Sequence, residues 1–426
     1  RSKIALFPKC TDEVSKVLSY CSSRLLPVVV QGGKTSLVGG SVPTNDEIIL
    51  NMSKMNKILS FDKLTGILEC ESGCVLQNLE EHVGQLEHTM PYDLGAKGSC
   101  QIGGNVATNA AGLHLIRYGS LHGNILGLEV VQASGTVTNL MSSMRKDNTG
   151  YDLKQLFIGS EGTLGVITKV MILCPPKPSC KMVLLLSLDN FESVLSLFRE
   201  TKHKFSEYLS AFEMIDSQSM SAVVDNLKLS KPFNSTFYAL VELSTNNIAF
   251  VESEVIQFLS SLMTSGIVKN GTYSSETHLV NKLWAYRELI PEALTRDGYC
   301  YKYDVSLPLC HYYELVNEMR KILQETNALR VCGYGHVGDF NLHLNITSKQ
   351  FDEKILNLIE PHVYKWVSDK KGSISAEHGI RSKKRNYLHL SKSKEAIELM
   401  MQLKQLMDPK NILNPGKVLP EITSDE

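Results

Sequence analysis

Hydrophobic positions in residues 8–26 recur at helical spacing. Val14, Val17, Leu18 and Cys21 follow a polar start, Thr11-Asp12-Glu13, that suits a helix N-terminus. Pro27-Val28-Val29-Val30 reads as a short buried strand that runs straight into a glycine-rich turn. From there to Pro175 strands alternate with glycine turns, and strands are predicted at 48–50, 66–71, 127–133 and 165–173, with a short helix over 76–85. Cys174-Pro175-Pro176-Lys177-Pro178 is the strongest break in the chain. After it, strand 182–188, helix 192–199, strand 236–243 and helix 250–262 alternate, which predicts a separate α+β domain with one helix-covered sheet. A strand block at 330–347, a helix over 352–371 and a polar helix over 393–408 complete the pattern. The predicted domains are 1–175, 176–381 and a C-terminal helical segment, 382–426, that returns to the first.

Composition narrows the function classes. At roughly 150 residues per domain, 426 residues make two or three domains. An apolar fraction of 43% with 21% charged residues excludes disorder as the main theme. Forty-four Lys and Arg balance 45 Asp and Glu, so the basic excess that bulk nucleic-acid binding requires is missing. The ten cysteines are scattered without paired CxxC knuckles, a pattern of reduced, buried intracellular thiols and not of a disulfide scaffold. No apolar run approaches the roughly 20 residues of a transmembrane helix. The chain opens at Arg1 without Met, and no targeting segment is readable in it.

Three glycine clusters carry the first half: Gln31 to Gly40, Gly95 to Gly112, and Gly159 to Gly165. Glycine lets backbone N–H groups converge on an anion without Cβ interference, while the same residue also serves ordinary tight turns. Gly33-Lys34-Thr35 resembles a triphosphate loop, but Val28 stands where that motif needs its first glycine. No cluster offers G-x-G-x-x-G in a strand-to-helix setting. Three clusters that fit neither pattern point to a large dinucleotide held in another way.

The second half concentrates histidine. In Gly335-His336-Val-Gly-Asp-Phe-Asn-Leu-His343-Leu-Asn345 a period of two puts Phe340, Leu342, Leu344 and Ile346 on one face and Asn341, His343 and Asn345 on the other. His336 is expected in a glycine loop that folds back toward His343. Ser375-Ala-Glu377-His378-Gly379, after another short strand, adds a carboxylate and an imidazole. Two neutral imidazoles and a carboxylate are a three-ligand set for Zn²⁺ or a similar divalent ion; taken singly, each histidine also reads as a satisfied core residue. Arg287 and Lys302, both flanked by aromatics, are candidate carboxylate holders.

The order Q-G-G-x-T-S-x-x-G-G from Gln31, P-Y-D-L-G-A-K-G-S-C-x-I-G-G-N-V-A-T-N-A from Pro91, and L-F-I-G-S-E-G-T-L-G-V-I-T from Leu156 resembles the FAD-binding domain of the vanillyl-alcohol oxidase superfamily. The stretch from Arg145 to Lys154 strengthens the likeness, which runs from about residue 8 to about 420 and is greatest to the D-2-hydroxy-acid dehydrogenases. The resemblance implies an α+β fold: a two-subdomain FAD-binding domain, an α+β substrate domain with a helix-covered antiparallel sheet, and a small helical C-terminal part.

It also implies roles. Gly32, Gly33, Lys34, Thr35, Ser36 and Gly39 would wrap the pyrophosphate. Gly95, Gly98, Ser99, Gly103, Gly104, Asn105, Thr108 and Asn109 would line the flavin and ribityl chain, with Gly162, Ile167, the strand around Val130 and Asn414 completing the pocket. The first loop lacks the histidine that bonds flavin covalently in some members, so non-covalent FAD is expected. The metal ligands would be His336, His343 and Glu377, the catalytic base His378, and the substrate contacts Arg287, Lys302 and Asn345. Lys34, Pro291 and Phe340 depart from the Asn, Thr and Gly usual at their positions. The implied reaction is oxidation of D-2-hydroxyglutarate to 2-oxoglutarate, with electrons passed to an electron-transferring flavoprotein in the mitochondrial matrix. D-lactate or another D-2-hydroxy acid is the nearest alternative. A metal-dependent hydrolase, or a regulatory nucleotide-binding module, lies further off.

Overall fold

A computed structural model describes residues 2–36, 39–44 and 46–420. Leu37 and Val38 of the first glycine cluster and 421–426 of the C-terminal segment lie outside the described residues. Contacts divide the chain into two units, one of residues 1–112, 118–177 and 377–426, the other of 113–117 and 178–376. Residues 377–381 thus group with the first unit, and Leu113–Arg117, flanked on both sides by first-unit residues, group with the second.

In the first unit the helix Thr11–Arg24 buries the stripe Val14, Leu18 and Cys21 and stops at Leu25, whose φ of 56° is left-handed. A parallel three-stranded sheet runs in the order Ala5–Leu6, Ile48–Asn51, Val28–Gln31. Leu413 bridges to Val28 alongside it and joins Val28, Leu50 and Val166 in one core. An antiparallel five-stranded sheet has the order Ile58–Asp62, Ile67–Glu71, Val166–Leu173, Ile125–Val131, Val137–Leu140. Helices Leu76–Gly84 and Ile102–Ala107 seal its core with Leu79, Ile102 and Val106 against Leu68, Leu128 and Val170. The two subdomains expected of the FAD domain are these two sheets.

The second unit is a seven-stranded antiparallel sheet, ordered Asn270–Ser274, Cys180–Leu188, Phe237–Thr245, Leu209–Asp216, Ala328–His336, Asn341–Ser348, Tyr299–Ser306. Phe237–Thr245 and Leu209–Asp216 are buried at every position, as strands covered on both faces must be. Helices Ser217–Leu227, Thr277–Glu288 and Ile290–Thr295 pack on Val183, Leu185, Ile215, Tyr238 and Leu240, while Phe191–Phe205, Ile248–Thr264 and Glu314–Ile322 also pack on the sheet. The helix-covered antiparallel sheet expected here is present.

Several local expectations need correction. The block 330–347 is a hairpin, and His336 ends its first strand instead of sitting in a loop. Phe340 is not on the second strand. It follows the short turn Val337–Asp339 with φ of 71°, exposed, at a cost of roughly 1–2 kcal/mol for a residue with a Cβ. Leu342, Leu344 and Ile346 do share one buried face. The helix over 352–371 is two helices, Glu353–Ile359 and His362–Asp369, because Pro361 lacks the N–H to continue the first. The short strand expected before Glu377 is a single bridge between Ser306 and Ser373.

Candidate active site

The register of the second unit builds a polar patch from alternate residues. Glu213 stands opposite His336, and His336 opposite Asn341; Tyr334 stands opposite His343, and His343 opposite Asp304; Asn345 stands opposite Lys302. Directly opposed residues share a face, so these side chains gather on one side of the sheet. The strand period sets Glu213 on the face of Ala211 and Ile215, and His336 on the face of Cys332 and Tyr334.

His336 Nδ1 lies 2.6 Å from Glu213 Oε1, and His343 Nδ1 lies 3.8 Å from Asp304 Oδ1. The two Nε2 atoms face each other at 3.3 Å. The short contact with Glu213 holds His336 as the Nδ1–H tautomer, with its Nε2 lone pair turned toward His343. At that distance the two nitrogens can share one N–H···N hydrogen bond or act together as ligands of one cation. Nitrogens bound at about 2.05 Å to one tetrahedral zinc stand about 3.3 Å apart, so the pair fits half of such a coordination shell. Carboxylates behind the imidazoles are the usual support for metal-binding histidine.

Glu213 is buried and also accepts from Arg287 Nε at 2.7 Å. Burial alone would raise its pKa, but the neighbouring His336 and Arg287 outweigh burial and bring it down to about 2. The Arg287 guanidinium lies 4.8 Å over the Tyr334 ring, and the Tyr334 hydroxyl accepts from Asn345 Nδ2 at 2.6 Å. Asn341 Nδ2 donates to Asp304 at 2.8 Å. Burial pushes Asp339, on the turn between the two histidine strands, up to about 6.

The structure therefore brings His336, His343, Arg287 and Asn345 together. Lys302 joins the same face but is exposed between buried Tyr301 and Tyr303, so the shielding expected from its aromatic neighbours is absent. Pro291 opens the first turn of Ile290–Thr295 and is exposed. Ala376 N donates to the Asp304 carbonyl at 3.4 Å; Glu377 and His378 follow it directly and begin the last segment of the first unit. Glu213, Asp304 and Tyr334 were not singled out from sequence. For Glu213 the signal was one acid within the apolar run Ala211-Phe212-Glu213-Met214-Ile215; for Tyr334 it was strand spacing, two residues before His336.

In the first unit, glycine clusters one and two meet backbone to backbone: a Cβ on Gly33 would lie 2.0 Å from the Ser99 carbonyl oxygen. Gly95, Gly98, Ser99 and Gly104 are nevertheless exposed, and a Cβ on Gly95 or Gly104 would meet only open space. Gln101 Oε1, 3.4 Å from where a Gly32 Cβ would stand, is buried without a hydrogen-bond partner. An exposed glycine wall beside an orphaned acceptor fits a flavin dinucleotide whose hydroxyls can donate. Thr108 Oγ1 donates to Gly104 O, and Asn109 accepts from His122 N. Asn105 accepts from the Tyr92 hydroxyl at 3.4 Å, and Ile167 lies on the strand beside Val130. Asn414 ties three segments, accepting from Val30 N at 3.1 Å and donating to Glu161 O at 2.8 Å next to Gly162. Lys34 holds φ of 57° and is exposed, with Thr35 and Ser36 following it and Gly39 at φ of 80°. Lys417 Nζ, lowered to about 8 by burial, donates to Gly40 O at 2.6 Å and adds a cation that sequence reasoning missed.

Residues 2–141 match the family described as FAD binding domain, and residues 177–418 match FAD linked oxidases, C-terminal domain. The chain is 53% identical to a mitochondrial D-2-hydroxyglutarate dehydrogenase of Danio rerio, over 99% of this chain and 79% of that protein. It is also 53% identical to the protein of the same name from Bos taurus, over 98% of this chain and 77% of that one. Among solved structures, p-cresol methylhydroxylase with substrate bound aligns with a TM-score of 0.79 at 14% identity, over 99% of this chain and 90% of that chain, a likeness of fold. With matched FAD domains along most of its length and relatives this similar, the chain belongs to the D-2-hydroxyglutarate dehydrogenase family of FAD-linked oxidoreductases.

Proposed function

We propose that the protein oxidises D-2-hydroxyglutarate to 2-oxoglutarate and that its substrate site is the polar patch of the second unit. The observation that carries this reading is the array of buried Arg287, Glu213 and His336 with half-buried His343, which sets a carboxylate-binding fork beside a facing imidazole pair. FAD, held non-covalently, would supply the acceptor for the 2-hydrogen with its electron pair, and a divalent ion such as Zn²⁺ would supply positive charge to the substrate's oxygens. His336, His343 and Glu377 would hold that ion. Arg287, tethered through Nε, keeps both terminal nitrogens for a substrate carboxylate. Lys302 meets the distal carboxylate, and Asn345 orients the acid near the 2-hydroxyl. His378 takes the hydroxyl proton at a ring nitrogen as the C2–H bond breaks and the C2–O bond becomes a carbonyl.

On the cofactor side, Gly32, Gly33, Lys34, Thr35, Ser36 and Gly39 wrap the pyrophosphate. The walls from Gly95 to Asn109, with Gly162, Ile167 and Asn414, hold the flavin and ribityl chain. The electrons then pass to an electron-transferring flavoprotein in the mitochondrial matrix, a reading supported by relatives whose names carry mitochondrial. A panel of 2-hydroxy acids, assayed on the purified protein with an artificial electron acceptor, tests the proposal. D-2-hydroxyglutarate should give the highest kcat/KM; a preference for D-lactate would overturn the dicarboxylate reading and promote the monocarboxylate one.

A further inference from the structure

We infer that Glu213 is a positioning residue that couples the imidazole pair to the carboxylate fork, fixing the tautomer of His336 and the aim of Arg287 with its two oxygens. The inference deepens the proposed function and rests on that reading of the patch. Glu213 Oε1 meets His336 Nδ1 at 2.6 Å and Oε2 meets Arg287 Nε at 2.7 Å, both in a buried setting. A carboxylate accepts at both oxygens, so one side chain receives both N–H groups at once. The consequence for His336 is a proton on Nδ1 and a lone pair on Nε2, the atom that faces His343 Nε2 at 3.3 Å. The consequence for Arg287 is a guanidinium fixed through Nε and lying over Tyr334, with its two terminal nitrogens left for an anion.

No neutral side chain of this shape can do both. In Glu213→Gln the amide has one acceptor and one donor. If its oxygen keeps Arg287, its NH₂ confronts His336 Nδ1, which must then accept, moving the imidazole proton to Nε2 and blocking the ligand position. If the amide flips, His336 is kept and Arg287 loses its anchor. Cation affinity and substrate affinity therefore trade against each other in one residue.

The test titrates Zn²⁺ into metal-stripped protein that retains its FAD, in parallel with steady-state kinetics on the metal-loaded enzyme. Glu213→Gln should weaken Zn²⁺ binding by about 10- to 100-fold, or raise KM for D-2-hydroxyglutarate by a similar factor with a smaller change in kcat, while flavin content stays unchanged. Zn²⁺ affinity and KM both within about twofold of the unaltered enzyme would overturn the inference. Glu213→Asp keeps the charge but is one methylene short of reaching both partners. It should weaken Zn²⁺ binding less than the Gln variant does, and unchanged affinity and KM in it would overturn the inference should the Gln variant not fold. His343→Ala separates the two levels. If it too leaves Zn²⁺ affinity intact, the metal reading of the patch fails; if it loses Zn²⁺ while Glu213→Gln changes neither Zn²⁺ affinity nor KM, only the role of Glu213 fails.

Discussion

Arg287 and Lys302 were paired as carboxylate holders by their chemistry, yet their surroundings predict unequal losses. Arg287→Met removes a buried guanidinium and leaves Glu213, at 1% exposure, with an uncompensated charge beside His336. Orphaning one partner of a buried ion pair costs about 3–5 kcal/mol. At about 2–4 °C per kcal/mol for a unit of this size, Tm should fall on the order of 10 °C. The lost charge-assisted contact to substrate, worth about 1.5–3 kcal/mol, should lower kcat/KM for D-2-hydroxyglutarate by about 10- to 150-fold. Lys302 is exposed, so its attraction for a distal carboxylate is screened and its removal leaves no buried anion behind. Lys302→Ala should keep Tm within about 1 °C and lower kcat/KM by about fivefold or less. Thermal unfolding followed by circular dichroism, with kinetics on the same preparations, reads both quantities. Equal losses in the two variants, or an Arg287→Met protein as stable as the unaltered one, would refute the reasoning.

Glu242 supplies a pH prediction: burial opposes its ionisation, but His114 and Lys181 outweigh burial and hold its pKa at about 2, with Trp284 Nε1 donating at 3.0 Å. A depressed carboxylate stabilises above its unfolded pKa and loses that contribution as pH falls through the folded value. The unaltered protein's stability advantage over Glu242→Gln, about 3 kcal/mol at neutral pH, should therefore shrink as pH drops from about 4.5 to 2, as measured by urea unfolding across that range. Gly33→Ala drives a methyl into the Ser99 carbonyl at 2.0 Å and should cut FAD retention on gel filtration by tenfold or more with secondary structure preserved; full retention would mean the two clusters can part at no cost. Chelation should abolish turnover while leaving the flavin spectrum intact, and added divalent metal should restore activity; full activity after verified metal removal would return His336 and His343 to structural roles.

Much of the fold was legible because its determinants are local. Glycine clusters, the Pro175-Pro176 break and the stripe Val14, Leu18, Cys21 each declare themselves within a few residues. Two of the strands not read from sequence have local patterns that mislead. Tyr299–Ser306 alternates Tyr with Lys and Asp, and Leu209–Asp216 carries Ser210, Glu213 and Asp216 although every position is buried. In the site, histidines stood out by residue type, but their carboxylate partners could not. That Glu213 opposes His336, and Asp304 opposes His343, is a fact of strand register across separations of 123 and 39 residues, which no local spacing encodes. Phe340 marks the converse limit: its alternation with Leu342 was real, but a left-handed turn took it off the strand.

The measurement that bears most directly on the central claim is the flavin spectrum during a single anaerobic turnover. The purified protein should absorb near ~450 nm, and stoichiometric D-2-hydroxyglutarate should bleach that band while one equivalent of 2-oxoglutarate forms. D-lactate and L-2-hydroxyglutarate at the same concentration should leave it largely oxidised. A colourless protein, or a flavin band that D-2-hydroxyglutarate does not bleach while D-lactate does, would contradict the account.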